Sequence, residues 1–145
     1  METQTLDYWI NLAKSIAITA HAGQFRNDLK TPYIKHPEMV AAKVEPRLKP
    51  IAWLHDAVED SNGVVTLQTL IDAGFPSYIT DGVDLITHRQ NEPNMVYWRK
   101  MLGHPDVVIV KIADITTNLS DDPTPLSREK YARALKLFAD AGYQI

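Results

Sequence analysis

The amino-acid sequence predicts an all-α protein, a helical bundle formed by one domain over residues 1–145. Apolar residues recur at helical spacing through most of the chain, and prolines and glycines stand between the apolar segments. A chain of 145 residues is long enough for one substantial core and leaves little room for a second. Only one segment, 107–112, resembles a β-strand, and it has no candidate partner strand.

The first two helices are predicted from an apolar stripe and from prolines. His21 lies on or beside the stripe of the first helix, and Gly23 marks the end of that helix. Segment 24–35 is polar and typical of a loop. Pro37 suits the first turn of a second helix, which Pro46 ends. The stripe of the first helix consists of Ile10, Ala13, Ala17 and Ala20.

Most of the later helices also begin at a proline or at a capping residue. A proline at the start of a helix loses no hydrogen bond, because the first amide groups of a helix have no acceptor within it. A threonine at the N-cap accepts a hydrogen bond from one of those free amides. The predicted starts are Pro50, Thr66 as an N-cap, Pro76, Pro93 and about Leu126, with the last helix running into Phe138.

The β-branched segment 107–112 is assigned to a helix. Its valines and isoleucines favour a strand by local propensity. A lone strand, however, would leave its backbone N–H and C=O groups without partners. On a helix, Lys111, Asp114 and Asn118 would lie along one line at positions i, i+3 and i+7.

Composition and charge limit the classes of partner. The formal net charge is −3, so the surface as a whole does not attract nucleic acid, and a polyanionic ligand needs a local basic pocket. The chain has no cysteine, which excludes disulfides, thiolate metal sites and cysteine nucleophiles. No apolar run approaches the length of a membrane span. We therefore expect a cytoplasmic protein that binds a small molecule, without a membrane or nucleic-acid partner.

The segment 52–60 carries an unusual concentration of charged groups. His55, Asp56, Glu59 and Asp60 fall within about one and a half turns of a predicted helix, near its C-terminal end. Carboxylates this close repel each other, and the negative end of the helix dipole adds to the repulsion. A divalent cation would offset this charge. The alternative interpretation is a solvated acidic helix end.

Two residues elsewhere in the chain could complete a metal site. His36 precedes Pro37 at a helix start, and Asp114 lies on an otherwise apolar segment. A buried single aspartate is rare unless it is paired or binds a metal. Two imidazoles and two carboxylates suit Mn²⁺, Fe²⁺ or Zn²⁺. Alternatively, His36 is a capping or surface histidine, and Asp114 forms a helix cap or a salt bridge.

Four sequence blocks occur in an order that resembles the HD superfamily of metal-dependent phosphohydrolases. The resemblance is to the hydrolase domain of RelA/SpoT proteins and to the stand-alone small alarmone hydrolases, including the metazoan SpoT homologue type. It covers most of the chain and implies an HD-domain helical bundle with the metal site in its centre. The blocks are AHAGQFR (20–26), PYIKHP (32–37), LHDAVED (54–60) and VKIAD (110–114) followed by Asn118.

This resemblance implies a role for each residue of the site. It implies one Mn²⁺ or another divalent metal, two carboxylates that act on the attacking water, and a pocket for a nucleotide substrate. The implied substrate is guanosine 3′,5′-bis(diphosphate), hydrolysed at the 3′ position to release pyrophosphate. His21 belongs to the signature, with a hydrogen-bonded core histidine as the alternative, and Tyr131 matches a pocket tyrosine loosely. The implied ligands are His36, His55, Asp56 and Asp114, the catalytic pair is Glu59 and Asp60, and the substrate-binding residues are Arg26, Lys111, Asn118, His21 and Tyr131.

Departures from the family pattern keep two other functions open. Alarmone hydrolases often carry a basic or serine residue where this chain has Asn27, and a basic residue where it has Ile115. Less positive charge near a polyphosphate favours an HD-type nucleotidase or nucleoside triphosphatase with another substrate. A non-catalytic nucleotide-binding module on the same scaffold is the third possibility, although every expected site residue is present.

Overall fold

A computed structural model describes residues 3–145, which form an all-α structure with no strand in that range. This confirms the predicted fold class. An isolated bridge between Phe25 and Pro32 is the one extended pairing among these residues. The helices are α1 (Leu6–Ala20), α2 (Lys35–Ala42), a 3₁₀ turn (Pro46–Leu48), α3 (Lys49–Leu54), α4 (Ala57–Asp60), α5 (Leu67–Asp72), α6 (Ser77–Ile86), α7 (Asn94–Met101), α8 (Pro105–Leu119) and α9 (Pro125–Asp140).

Helices α3 and α8 occupy the middle of the bundle. Helix α3 packs against α1, α2 and α6, and α8 packs against α2, α6, α7 and α9. Ile51 and Leu54 of α3 and Val108 and Val110 of α8 are fully buried. Helix α1 packs against α3, and the small residues of the α1 stripe are also buried, which allows the two helices to approach closely.

The segment 107–112 is helical, as expected from its lack of a partner strand. It forms part of α8, which begins with Pro105 in its first turn. Val107, Val108 and Val110 are buried against neighbouring helices. Burial of these side chains outweighs the modest preference of β-branched residues for strands. None of the helices between residues 3 and 145 is long and apolar enough to cross a bilayer.

The helix expected to run from Pro50 past Val58 is interrupted at His55 and Asp56. Helix α3 ends at Leu54, and the short α4 begins at Ala57. The Ala52 carbonyl accepts hydrogen bonds from the His55 amide at 3.4 Å and from His55 Nδ1 at 2.6 Å. In a continuous helix that carbonyl would accept from the amide of residue 56. The histidine side chain thus competes with the helical bond and shapes the bend that carries both residues.

The loop between α1 and α2 is ordered by an aspartate turn. Asp28 Oδ1 accepts hydrogen bonds from the amides of Lys30 and Thr31, at 2.8 and 2.9 Å. The Thr31 hydroxyl donates to Asp28 Oδ2. This bond, followed by the two amide bonds, lowers the pKa of Asp28 to about 2. The backbone of Arg26 forms two further hydrogen bonds within the loop. Its amide donates to the Thr31 carbonyl, and its carbonyl accepts from the Leu29 amide. The turn holds the loop residues that face the centre of the bundle.

Candidate metal centre

Two histidines and two aspartates from three parts of the chain meet in the centre of the bundle. His36 comes from the first turn of α2, His55 and Asp56 from the bend between α3 and α4, and Asp114 from α8. One side-chain donor atom from each residue lies within 4.8 Å of all the others. His36, His55 and Asp114 are buried, and Asp56 is partly buried. Such a cluster could hold a divalent metal ion.

The ring nitrogens of the two histidines point at the same space. His36 Nε2 lies 3.2 Å from His55 Nε2 and 2.8 Å from Asp114 Oδ1. His55 Nε2 lies 3.0 Å from Asp56 Oδ2. Because His55 Nδ1 donates its proton to the Ala52 carbonyl, Nε2 is the nitrogen that presents a lone pair when the ring is neutral. This arrangement is the usual one for a histidine that binds a metal through Nε2.

The charges of the cluster require a cation or shared protons between the four groups. Burial alone would raise the pKa values of Asp56 and Asp114, but the opposing charge of His55, and of Lys111 for Asp114, holds both pKa values well below the usual range. Burial would lower the pKa of His55, yet the two carboxylates raise it. The donor set therefore fits a divalent ion, since two imidazoles and two carboxylates provide ligands for it and negative charge that offsets its own.

Three further side chains hold the two carboxylates in place. The Tyr33 hydroxyl donates to Asp56 Oδ2 at 2.5 Å, and burial raises the pKa of Tyr33, so it remains a donor. Lys111 Nζ donates to Asp114 Oδ2 at 2.9 Å. Asn118 Nδ2 donates to Asp114 Oδ1 at 3.2 Å. Loss of a contact that orients a metal ligand typically lowers metal affinity or activity by about 10–100-fold.

Glu59 and Asp60 lie on α4, within one helical turn of Asp56. Glu59 Oε1 accepts a hydrogen bond from the His88 amide at 2.9 Å, which fixes its side chain beside the loop after α6. Partial desolvation, with the nearby charge of Asp56, raises the pKa of Glu59. The same two causes raise the pKa of Asp60 to about 7. Both groups can therefore take up a proton more readily than ordinary carboxylates.

Arg26 reaches the site from the α1–α2 loop but is already paired. Its Nη2 lies 2.7 Å from Asp121 Oδ2, and its Nε donates to the same oxygen at 3.0 Å. Nη2 also donates to Asn118 Oδ1 at 3.3 Å. The guanidinium carbon lies 5.4 Å from the centre of the Tyr33 ring. Arg26 and Asn118 thus belong to one network that ends at Asp114.

His21 and Tyr131 lie at the edge of this network. His21 is buried, its Nδ1 is 2.9 Å from Gln24 Oε1, and its ring centre is 4.7 Å from that of Tyr33. Burial lowers the pKa of His21, so the ring is neutral. Tyr131 is partly buried, and burial followed by the charge of Asp114 raises its pKa. The hydrogen bond to Gln24 agrees with the core-histidine alternative, and a substrate contact by His21 or Tyr131 stays a prediction.

Tyr33 and Asp121 contribute to the site although the sequence assigned them no role. Tyr33 lies three residues before His36, as an aromatic residue in a polar segment. Asp121 follows Asn118 by three residues, in the turn just beyond the end of α8, where its amide donates to the Asn118 carbonyl. Its position next to the helix end was the one signal that the sequence offered for Asp121. Nothing in the sequence alone shows that Tyr33 would meet Asp56, which is 23 residues away.

No protein-family model matches the chain, and no curated protein matches it either. The helical fold and the buried His/His/Asp/Asp cluster are compatible with an HD-type site. The resemblance to the HD superfamily consequently depends on the residues themselves and on their geometry.

Proposed function

We propose that this protein is a metal-dependent hydrolase of a phosphorylated nucleotide, of the HD type. One observation carries the proposal: the donor atoms of His36, His55, Asp56 and Asp114 lie within 4.8 Å of one another. Two carboxylates with raised pKa values stand one helical turn away. A purely structural ion pair would not need this number of acidic groups at one bend.

The proposed ligands of the ion are the two histidines and two aspartates of the cluster, and Mn²⁺ is the first metal to test. The chain offers no thiolate, and mixed imidazole and carboxylate ligands suit Mn²⁺, with Fe²⁺ and Zn²⁺ as the alternatives. Such an ion supplies Lewis-acid polarisation of a phosphoryl oxygen and makes water more acidic.

Glu59 and Asp60 are the proposed proton acceptors for the attacking water. A general base works best when its pKa is close to the operating pH, and in the metal-free protein desolvation and the charge of Asp56 raise the pKa values of both carboxylates. The His88 amide holds Glu59 in one position, so Glu59 is the proposed base that removes the proton, and Asp60 helps to orient the water.

Lys111, Arg26 and Asn118 are the proposed contacts to the phosphate and sugar. Lys111 lies next to Asp114 and 5.3 Å from the centre of the Tyr97 ring, which fixes its ammonium group at the site. Arginine suits bidentate contact with phosphate, whereas lysine acts as a point charge. His21 and Tyr131 would line the remainder of the pocket.

The leading substrate is guanosine 3′,5′-bis(diphosphate), with pyrophosphate as the leaving product. The resemblance of the four sequence blocks to alarmone hydrolases supports this choice. It predicts cleavage of the ester bond at the 3′ oxygen, with the water oxygen transferred to the released pyrophosphate.

A nucleotidase or nucleoside triphosphatase is the second candidate, and charge favours it. Ile115 is fully buried in the core, and Asn27 is exposed on the loop, so neither position brings a cation to the site. Arg26 is paired with Asp121. A substrate with fewer phosphates would need less positive charge.

A substrate panel tests the proposal. The protein is treated with chelator, reloaded with Mn²⁺, and assayed with guanosine bis(diphosphate), deoxynucleoside triphosphates, nucleoside monophosphates and cyclic nucleotides. We expect turnover of at least one nucleotide, and its loss in the Asp114→Asn variant. Tight nucleotide binding without turnover in Mn²⁺, Fe²⁺ or Zn²⁺ would instead assign the chain to non-catalytic binding modules.

A further inference from the structure

Asp121 neutralises the guanidinium that faces the site from the loop. One carboxylate oxygen of Asp121 accepts from both Nε and Nη2 of Arg26, and Asn118 takes a further bond from Nη2. The Arg26 side chain is only 15% exposed, whereas that of Asp121 is 52% exposed. Arg26 and Asp121 also line a cavity of about 100 Å³ that reaches His36.

The two ends of this ion pair differ in how firmly they are held. Arg26 lies over the Tyr33 ring and bonds to Asn118, which in turn bonds to Asp114. Asp121 lies beyond the end of α8, and Arg26 is its one side-chain partner among the described residues. An anion that approaches Arg26 would therefore displace the Asp121 carboxylate rather than the guanidinium.

We propose that Asp121 is a specificity-determining residue that competes with substrate phosphate for Arg26. The competition weakens binding most for substrates whose affinity depends on many phosphate charges. It thus favours nucleotides with few phosphates over polyphosphorylated ones. The inference rests on the proposed function, because it places a substrate phosphate beside Arg26.

The Lys111–Asp114 ion pair cannot set phosphate selectivity in the same way as the Arg26–Asp121 pair. Asp114 is buried and is held by His36 and Asn118 as well as by Lys111. Removing Asp114 would destroy the candidate metal centre. Asp121 can be changed while all four proposed metal ligands stay in place, which makes its effect on charge selectivity measurable.

The test compares the wild-type protein with Asp121→Asn, which removes the charge but keeps an oxygen that can accept from Arg26. Inorganic pyrophosphate and orthophosphate are titrated calorimetrically into Mn²⁺-loaded protein after free metal has been removed. We expect pyrophosphate to bind about tenfold more tightly to the variant, with a smaller gain for orthophosphate and a smaller difference at high salt. The kcat/KM ratio of guanosine bis(diphosphate) to a nucleoside monophosphate should rise by about the same factor.

Asp122→Asn is the matched control. Asp122 is the next residue, is exposed, and has a φ of 48°, a conformation that asparagine adopts as readily as aspartate. Asp122→Asn removes the same negative charge as Asp121→Asn but leaves the Arg26–Asp121 pair intact. Its pyrophosphate affinity should therefore stay within about twofold of wild type.

Three results would overturn the inference: unchanged pyrophosphate affinity in Asp121→Asn, an equal gain in Asp122→Asn, or weaker binding of both anions. The last would mean that Asp121 positions Arg26 for the substrate. Pyrophosphate binding is measured without turnover. A tenfold gain in a protein that hydrolyses no nucleotide would therefore support the role of Asp121 and reject the proposed function, and turnover with unchanged affinity would do the reverse.

Discussion

Single residues of the site divide into those that would hold a cation and those that would handle a proton. His36, His55, Asp56 and Asp114 converge on one point, and their partners are groups that orient them. Glu59, by contrast, is bound through the His88 amide, outside that convergence. This separation predicts different consequences for changes in the two sets.

Asp56→Ala should lose the metal, whereas Glu59→Gln should keep it and lose turnover. Glutamine can still accept the hydrogen bond from the His88 amide, so the loop stays in place while the base is removed. We expect kcat to fall by roughly 10²–10⁴-fold in Glu59→Gln. The metal content of each variant is measured by elemental analysis, and kcat is measured on the same samples. Glu38→Gln, on the surface of α2, is the control. Equal loss of metal in both variants would contradict this division of roles.

Asp60 predicts a pH dependence of stability in chelator-treated protein. Its pKa is raised in the folded state from 3.8 to about 7, so the native state binds the proton more tightly than the unfolded state does. Its contribution to stability is therefore full below about pH 4 and is lost as the pH rises through 7. Asp60→Asn should have little effect at pH 4 and stabilise the protein by about 1 kcal/mol at pH 8, since solvent screens this exposed side chain.

Chemical unfolding of the Asp60→Asn variant at both pH values checks this expectation. Asp81→Asn, an exposed carboxylate on α6, serves as the control. A stabilisation that is equal at pH 4 and pH 8 would mean that the effect does not come from the titration of Asp60.

At the scale of elements, the contact between α3 and α6 depends on the absence of a side chain at Gly82. A Cβ atom there would lie 2.7 Å from Ile51 Cδ1 and 3.2 Å from Ile51 Cγ1. Ile51 is fully buried, so its side chain has little room to move away. Because α3 leads directly into the bend at His55, this contact also supports the position of the candidate metal centre.

Gly82→Ala should destabilise the protein by about 1–2 kcal/mol, because overpacking outweighs the gain in helix propensity. Gly103→Ala is a suitable control, since a Cβ there meets no atom within 4 Å and the backbone has no positive φ. Midpoints of urea unfolding for the two variants give the comparison. If Gly82→Ala is as stable as Gly103→Ala, α3 and α6 can move apart without a loss of free energy of unfolding.

The bend between α3 and α4 shows how an element is shaped by one of its own side chains. Local spacing predicted a continuous helix, because Ile51, Leu54 and Val58 follow a helical stripe. The His55 side chain instead occupies the Ala52 carbonyl. Side-chain competition for a backbone acceptor depends on rotamer and burial, and periodicity carries no information about either.

At the scale of the whole molecule, a metal at the cluster would link α2, α8 and the α3–α4 bend. A ligand that binds only the native state raises its stability by an amount set by concentration and affinity. Adding Mn²⁺ at about 100 times its dissociation constant to chelator-treated protein should raise the melting temperature by roughly 5–10 °C. Asp114→Asn should abolish the shift, and exposed Asp72→Asn should retain it. A full shift in Asp114→Asn would place the ion elsewhere.

Local sequence determined the helical architecture of this protein. The prolines at 50, 76 and 93 and the Thr66 cap lie at or next to the start of the helices they predict. Such signals work over one helical turn, so they can be recognised without knowing the tertiary structure. The concentration of acidic and imidazole groups at 55–60 was likewise visible in the sequence.

Only the tertiary structure decided which of these groups meet. His36 contacts Asp114 across 78 positions of sequence, and Arg26 pairs with Asp121 across 95. The second pairing makes Arg26 a partly neutralised group rather than a free phosphate ligand. Contacts at such separations are set by how helices pack around a shared core, and the spacing of residues along one helix does not encode them.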